Sequence, residues 1–138
     1  MNTIRRLVSN CREGNKKEIK KFIKELESRE KTTPLLQAYS AVATAYKAKI
    51  ALNPLKKIEL LHTYKEMMDP IVAHQKSYEI VFLRFMIEKN IPFGLGLSNN
   101  LRQDYSYLTE HKNQVEDQDF EESFQRFMSK FMELNELS

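Results

Sequence analysis

The sequence has few of the residues that mark loop-rich, disulfide-linked or membrane-spanning proteins. It contains one cysteine, three glycines, four prolines and no tryptophan. A single cysteine cannot form an internal disulfide, and so few glycines and prolines argue against a fold made of many turns. Apolar runs such as residues 80–83 are far too short to span a bilayer. No apolar stretch follows Arg5 and Arg6, so we expect no secretory signal, no membrane partner and a cytoplasmic location.

Sequence motifs for catalysis or metal binding are also missing. Glu59 and His62 form a Glu-x-x-His pair, but a di-iron helical bundle requires two such pairs. His74 and His111 have no partner at metal-ligand spacing. No serine or cysteine stands in a recognised nucleophile motif. The sequence therefore predicts neither an enzyme nor a protein that binds a metal or another cofactor.

Apolar residues recur at helical spacing along most of the 138 residues. Ile4, Leu7, Val8 and Cys11 share one helical face, which makes Cys11 a small buried hydrophobe. We therefore predict a single all-α domain over residues 1–138, made of about seven helices in antiparallel hairpins. The predicted helices are residues 3–13, 15–29, 34–52, 54–68, 70–89, 98–111 and 119–137. In helix 54–68, the residues predicted to face inward are Leu55, Ile58, Leu61, Tyr64 and Met68.

Three prolines follow residues that cap helices well. Thr33-Pro34, Asn53-Pro54 and Asp69-Pro70 each place proline where its fixed φ and missing N–H suit the first helical position. They predict three helix starts. Pro34 and Pro70 are 36 residues apart, which is the period of two-helix solenoid repeats.

Two sets of residues resemble known families. The alanines and tyrosines of residues 39–51, with Met68-Asp69-Pro70, resemble a degenerate tetratricopeptide array, which implies a right-handed stack of helical hairpins. A compact bundle is the alternative architecture. Arg84-Phe85, residues 91–96, Leu101 and Asp104 resemble an uncharacterised family of small bacterial all-helical proteins. The second resemblance covers about residues 35–110 and implies no known activity.

Arg84 is the most informative charged residue, because it stands inside the apolar stretch 81–87. A guanidinium that loses its water there needs a partner. Glu88 lies one helical turn ahead, and Asp104 is available if the following helix folds back. We predict an Arg84–Asp104 pair that fixes the loop at residues 92–97. In that loop, Gly94 and Gly96 supply positive φ, and Phe93, Leu95 and Leu97 plug the core.

Charge is distributed unevenly along the chain. Residues 1–65 hold 15 Lys plus Arg against 6 Asp plus Glu, whereas residues 66–138 hold 7 against 13. The predicted helix 15–29 concentrates the positive charge opposite its apolar stripe. This helix is either a solvated face or a surface that contacts phosphates. The candidate phosphate contacts are Arg5, Arg6, Arg12, Lys16, Lys17, Lys20, Lys21 and Lys24.

The leading functional prediction is a non-catalytic module that binds a protein or peptide, with Tyr39, Tyr46 and Lys49 as a candidate partner surface. Binding of nucleic acid or an acidic partner through the basic N-terminal helices is the alternative. A small-molecule site near Arg84 and loop 92–97 is the third. A seam on helix 119–137, made of Phe120, Phe124, Phe127, Phe131 and Leu134, either caps the stack or forms a homodimer.

Overall fold

Every regular element in the computed structural model is an α-helix over the residues that the structure describes, 1–92, 94–117 and 119–137. The all-α prediction is confirmed. None of these helices is long and apolar enough to cross a membrane. The helices are α1 (Asn2–Asn10), α2 (Lys16–Glu27), α3 (Pro34–Ile50), α4 (Pro54–His74), α5 (Tyr78–Asn90), α6 (Leu101–Glu110), the short α7 (Gln114–Asp117) and α8 (Glu122–Leu134).

The chain divides into two compact units, residues 1–75 and 76–138. The first unit contains α1 to α4, and the second contains α5 to α8. The single domain predicted from the chain length stays a prediction. Each unit is described separately below.

Helix α3 is central to the first unit, because it packs against both α2 and α4. Its small residues Ala38, Ala41 and Ala45 are buried, and small side chains allow neighbouring helices to approach closely. Helix α2 contributes Phe22, whose ring meets Tyr39 edge-on with 6.5 Å between ring centroids. Its buried stripe is Ile19, Phe22, Ile23 and Leu26. The apolar spacing of α2 and the alanines of α3 thus form one core.

Side-chain caps fix the helix starts of the first unit. Asn15 Oδ1 accepts hydrogen bonds from the backbone N–H groups of Lys17 and Glu18. Thr33 Oγ1 accepts from Leu36 N at 3.2 Å, and Asn53 caps α4 in the same way. The predicted starts at Pro34 and Pro54 are confirmed, since both prolines occupy first-turn positions that need no N–H donor.

The predicted helix start at Pro70 is wrong. Helix α4 runs through Pro70 to His74, and the next helix begins at Tyr78 with Ser77 as its cap. Tyr64, Met68 and Val72 are buried at four-residue intervals. This stripe crosses Pro70, so its burial outweighs the hydrogen bond that proline cannot make. The 36-residue spacing therefore does not separate two helix starts, and the tetratricopeptide resemblance stays a prediction.

The first turn of α4 also differs from the prediction. Leu55 and Ile58 were expected to face inward, but Leu55 is 78% exposed and Ile58 is 38% exposed. Tyr64 and Met68 are fully buried, as predicted. Leu55 is exposed because it lies at the end of the α3–α4 hairpin, beside the link at residues 51–53.

In the second unit, α5 is buried from Tyr78 to Glu88. Phe82 packs edge-on against the rings of Phe127 and Phe131 of α8, with centroid distances of 5.9 and 5.6 Å. Phe85 also meets Phe131 edge-on, at 6.1 Å. Phe127 and Phe131 of the predicted seam therefore pack against α5 of the same chain. A homodimer through helix 119–137 stays a prediction.

Three details of the second unit correct the sequence analysis. Helix α8 begins at Glu122, three residues after the predicted start at Asp119. Leu134 of the seam is 59% exposed, whereas Met128, which the seam pattern missed, is fully buried. Helix α6 begins at Leu101, three residues after the predicted start at residue 98, and Asn100 holds its N-cap position.

Replacing Pro70 tests whether this residue lies inside a helix. Pro70→Ala restores a backbone N–H donor and removes the clash of the proline ring, so we expect the free energy of unfolding to rise by about 1 kcal/mol or more. Pro34→Ala and Pro54→Ala are matched controls at first-turn positions and should give no gain. Urea unfolding measures all three, and a Pro70→Ala protein that behaves like the controls would contradict the continuous α4.

Candidate functional site

Five lysines on the solvent side of α2 form one basic surface, which we call the lysine face. All five are exposed, and together they line one open, shallow depression. Lysines four residues apart lie about 6 Å apart along a helix axis, so the charges form two parallel rows. Helix α2 holds them in place because its opposite side is buried in the core. The lysine face consists of Lys16, Lys17, Lys20, Lys21 and Lys24.

The lysine face is only weakly neutralised. Lys21 Nζ lies 3.5 Å from Glu18 Oε1, and the Lys21 side chain is 53% exposed. The other four lysines have no ion pair with any residue that the structure describes. Exposed charges of one sign in a row repel each other, and a bound polyanion relieves that repulsion.

The predicted arginine contacts have different environments. Arg12 and Arg6 are exposed, whereas Arg5 is half-buried. Arg5 Nη1 donates a hydrogen bond to Asn2 Oδ1 at 3.3 Å within α1. Arg12 belongs to the turn between α1 and α2, next to the start of the lysine face.

The candidate partner surface on α3 is wrong for its two tyrosines. Tyr39 is fully buried and Tyr46 is 7% exposed. Burial raises the pKa of the Tyr46 hydroxyl well above its usual value. These rings fill the core beside Phe22, because the alanines around them leave space that large side chains occupy. Only Lys49 of this predicted surface is exposed.

The predicted contact between Arg84 and Asp104 is present. Arg84 Nε donates to Asp104 Oδ2 at 2.8 Å, and Arg84 Nη2 donates to Asp104 Oδ1 at 2.7 Å. Both side chains are buried, with 5% and 2% exposure. A guanidinium offers two parallel donors to a carboxylate in this geometry, which satisfies both charges away from water.

Glu88 extends this pair into a cluster that the sequence analysis did not predict. Its carboxylate lies 3.9 Å from Arg84 Nε and accepts hydrogen bonds from the backbone N and side-chain Nδ2 of Asn100, each at 3.1 Å. Ser98 Oγ donates to the backbone oxygen of Glu88 at 2.8 Å. The cluster therefore joins α5 to the start of α6. The available sequence signal was the position of Glu88, one turn after Arg84.

The loop at residues 92–97 is built partly as predicted. Gly94 and Gly96 adopt positive φ values of 98° and 70°. Leu97 is buried, but Leu95 is 37% exposed and does not plug the core. Phe93 lies outside the described residues. That this loop is fixed by Arg84 stays a prediction, as does a small-molecule site here.

Cys11 is a buried thiol, as its helical spacing predicted. Its Sγ donates to the backbone oxygen of Leu7 at 3.2 Å. Burial, together with the nearby Glu18 carboxylate and against the effect of Lys49, raises the pKa of the thiol from 9.0 to about 12. Such a thiol stays protonated at neutral pH and is a poor nucleophile.

The histidines belong to no metal-binding group of three or more side chains within the described residues. Over the described part of the chain, no three His, Cys, Asp or Glu residues are placed to hold one metal ion. Glu59 pairs with Lys56 at 3.8 Å instead of sharing a site with His62. The His111 ring stacks on Tyr107 with 4.1 Å between centroids.

Comparisons of the chain with models of protein families, with curated proteins and with solved structures found no match.

Arg84→Met tests the energetic role of the buried cluster. The substitution leaves the Asp104 and Glu88 carboxylates buried without their cation, so we expect a loss of about 3–5 kcal/mol in the free energy of unfolding. Arg126→Met is the matched control, since the Arg126–Glu122 pair is mostly exposed and should change stability by less than about 0.5 kcal/mol.

Urea unfolding provides the measurement for this pair of variants. If Arg84→Met does not fold, Arg84→Met with Asp104→Leu should recover part of the stability, because one stranded carboxylate is removed with the cation. An Arg84→Met protein as stable as the wild type would contradict the role of the cluster.

Cys11 labelling tests its burial. At pH 8 we expect a disulfide reagent such as Ellman's to react with the folded protein at least about a thousandfold more slowly than with the protein in urea, because little thiolate exists in the folded state. Absorbance of the released thiolate gives both rates. Equal rates would show that Cys11 is accessible and ionises normally.

Proposed function

We propose that this protein is a non-catalytic binding module and that its lysine face binds the phosphate backbone of nucleic acid. One observation carries the proposal: five exposed lysines share one open surface of α2, and over the described residues only Lys21 forms an ion pair, with Glu18. Ammonium groups bind phosphate oxygens as point charges, and binding releases the counterions that surround nucleic acid.

The composition of the lysine face favours nucleic acid over a protein surface. Protein interfaces have an apolar centre and contain little lysine, whereas the exposed residues of α2 are all charged, five lysines with Glu27. No aromatic side chain is exposed on this helix for a base to stack on. The expected binding therefore uses phosphates and shows no sequence preference.

A protein or peptide partner is the second candidate. It was the leading prediction from the sequence, but its tyrosine surface is buried. An acidic protein would have to meet the same lysines through carboxylates. A cytoplasmic location and a tetratricopeptide-like arrangement of the hairpins belong to this proposal as well.

A salt titration with matched variants tests the lysine face. Lys16→Gln, Lys20→Gln and Lys24→Gln together remove three charges from it, and Lys89→Gln, Lys112→Gln and Lys130→Gln remove three charges from the second unit. For generic DNA and RNA, we expect the first variant to lower the slope of log affinity against log salt by about 2 to 3, since each phosphate contact contributes about 0.9.

The control variant should bind like the wild type. Both variants have the same net charge, so a difference between them shows that binding depends on the lysine face. Equal behaviour would show that it depends only on the overall positive charge of the protein. Absence of binding at low salt, or equal losses in the two variants, would exclude nucleic-acid binding by the lysine face.

A further inference from the structure

Two leucines and an isoleucine at the α3–α4 turn form an exposed apolar surface, which we call the leucine tip: Leu52, Leu55 and Ile58. Leu52 is 89% exposed and Leu55 is 78% exposed, the highest values for large apolar side chains over the described residues. Leu55 and Ile58 are three residues apart on α4 and so share one helical face. Single exposed leucines are ordinary, whereas a contiguous group marks an interaction surface.

The turn that carries the leucine tip is ordered. Asn53 Oδ1 accepts hydrogen bonds from Leu55 N at 2.9 Å and from Lys56 N at 3.4 Å. The link between the helices is only residues 51–53. Leu52 and Leu55 are therefore held at the surface by a capped turn at the end of the hairpin.

Three lysines belong to the same α3–α4 turn as these apolar side chains. Lys49 is exposed at the end of α3, and Lys56 and Lys57 are in the first turn of α4. Lys57 Nζ donates to the backbone oxygen of Lys49 at 3.3 Å, which places these lysines together. Glu59 is the nearby acid, but its contact with Lys56 is 3.8 Å long and solvated.

Lys49 also connects this end of the hairpin with the turn between α1 and α2. A Cβ built on Gly14 would lie 3.0 Å from Lys49 Cε, so the two turns are neighbours. Lys16 begins α2 directly after that turn. The basic surroundings of the leucine tip therefore extend beyond the hairpin.

We propose that the leucine tip docks this protein on the surface of an anionic membrane. Two exposed leucines at a turn can enter the boundary between headgroups and acyl chains. Lysines beside the inserted side chains then meet anionic headgroups, and the two contributions add. This is a surface contact, and its apolar part lies outside the lysine face. It departs from the expectation of no membrane partner, which rested on the absence of an apolar run long enough to span a bilayer.

A vesicle-binding experiment with the full chain tests the proposal. The vesicles contain either equal parts of phosphatidylglycerol and phosphatidylcholine or phosphatidylcholine alone, and co-sedimentation measures the bound fraction. Leu52→Ser with Leu55→Ser should weaken binding to the anionic vesicles by at least about tenfold, because burying one leucine changes a partition constant by about that factor. Vesicles of phosphatidylcholine alone should bind the wild-type protein more weakly.

Leu95→Ser with Leu134→Ser is the matched control, since it removes two exposed apolar side chains from the second unit. We expect the control variant to bind vesicles like the wild type. Circular dichroism should show that both variants keep the wild-type helix content.

Three results would overturn the proposal. They are failure of the wild-type protein to bind anionic vesicles, equal binding by the leucine-tip variant, and self-association that the same variant abolishes in sedimentation. The last result would make a second copy of the chain the occupant. A failure here leaves the nucleic-acid titration unaffected, because that titration changes only residues outside the leucine tip.

Discussion

A guanidinium inside an apolar helix imposes the strongest constraint on the second unit. Arg84 cannot remain charged and buried without carboxylates around it, and Asp104 and Glu88 supply them from α6 and α5. Since Glu88 also binds Asn100, the same charges determine where α6 begins. The phenylalanines of α8 then pack against the apolar face of α5. One buried cation is thus satisfied by carboxylates from two helices, α5 and α6.

The first unit is stabilised differently, by close packing on an alanine-rich helix. The tyrosines of α3 are buried in this core, so their rings do not form a partner surface. The surfaces that remain are chemically distinct. The lysine face has charge without apolar area, whereas the leucine tip has apolar area within a ring of charge. Each therefore favours a different kind of partner, and both lie on the basic part of the chain.

Local rules predicted the parts of this structure that depend on neighbouring residues. The caps at Thr33 and Asn53 followed from dipeptides, and the burial of Cys11 followed from helical spacing. The Arg84–Asp104 contact was also predictable, because desolvation of a cation demands a carboxylate within reach. Pro70 was misassigned, since the same dipeptide pattern occurs inside a helix whenever tertiary burial on both sides of it compensates for one missing hydrogen bond.

The sequence by itself determined the helical class, most helix bounds and the position of the basic stripe, because these depend on residues within a few turns of each other. Only the tertiary structure decided which apolar residues are left outside. Leu55 and Tyr64 stand on one amphipathic helix, but Leu55 is exposed and Tyr64 is buried. Their exposure differs because Leu55 lies at the end of the α3–α4 hairpin, whereas Tyr64 lies further along α4. The apolar periodicity of α4 alone does not show where its partner helix α3 ends.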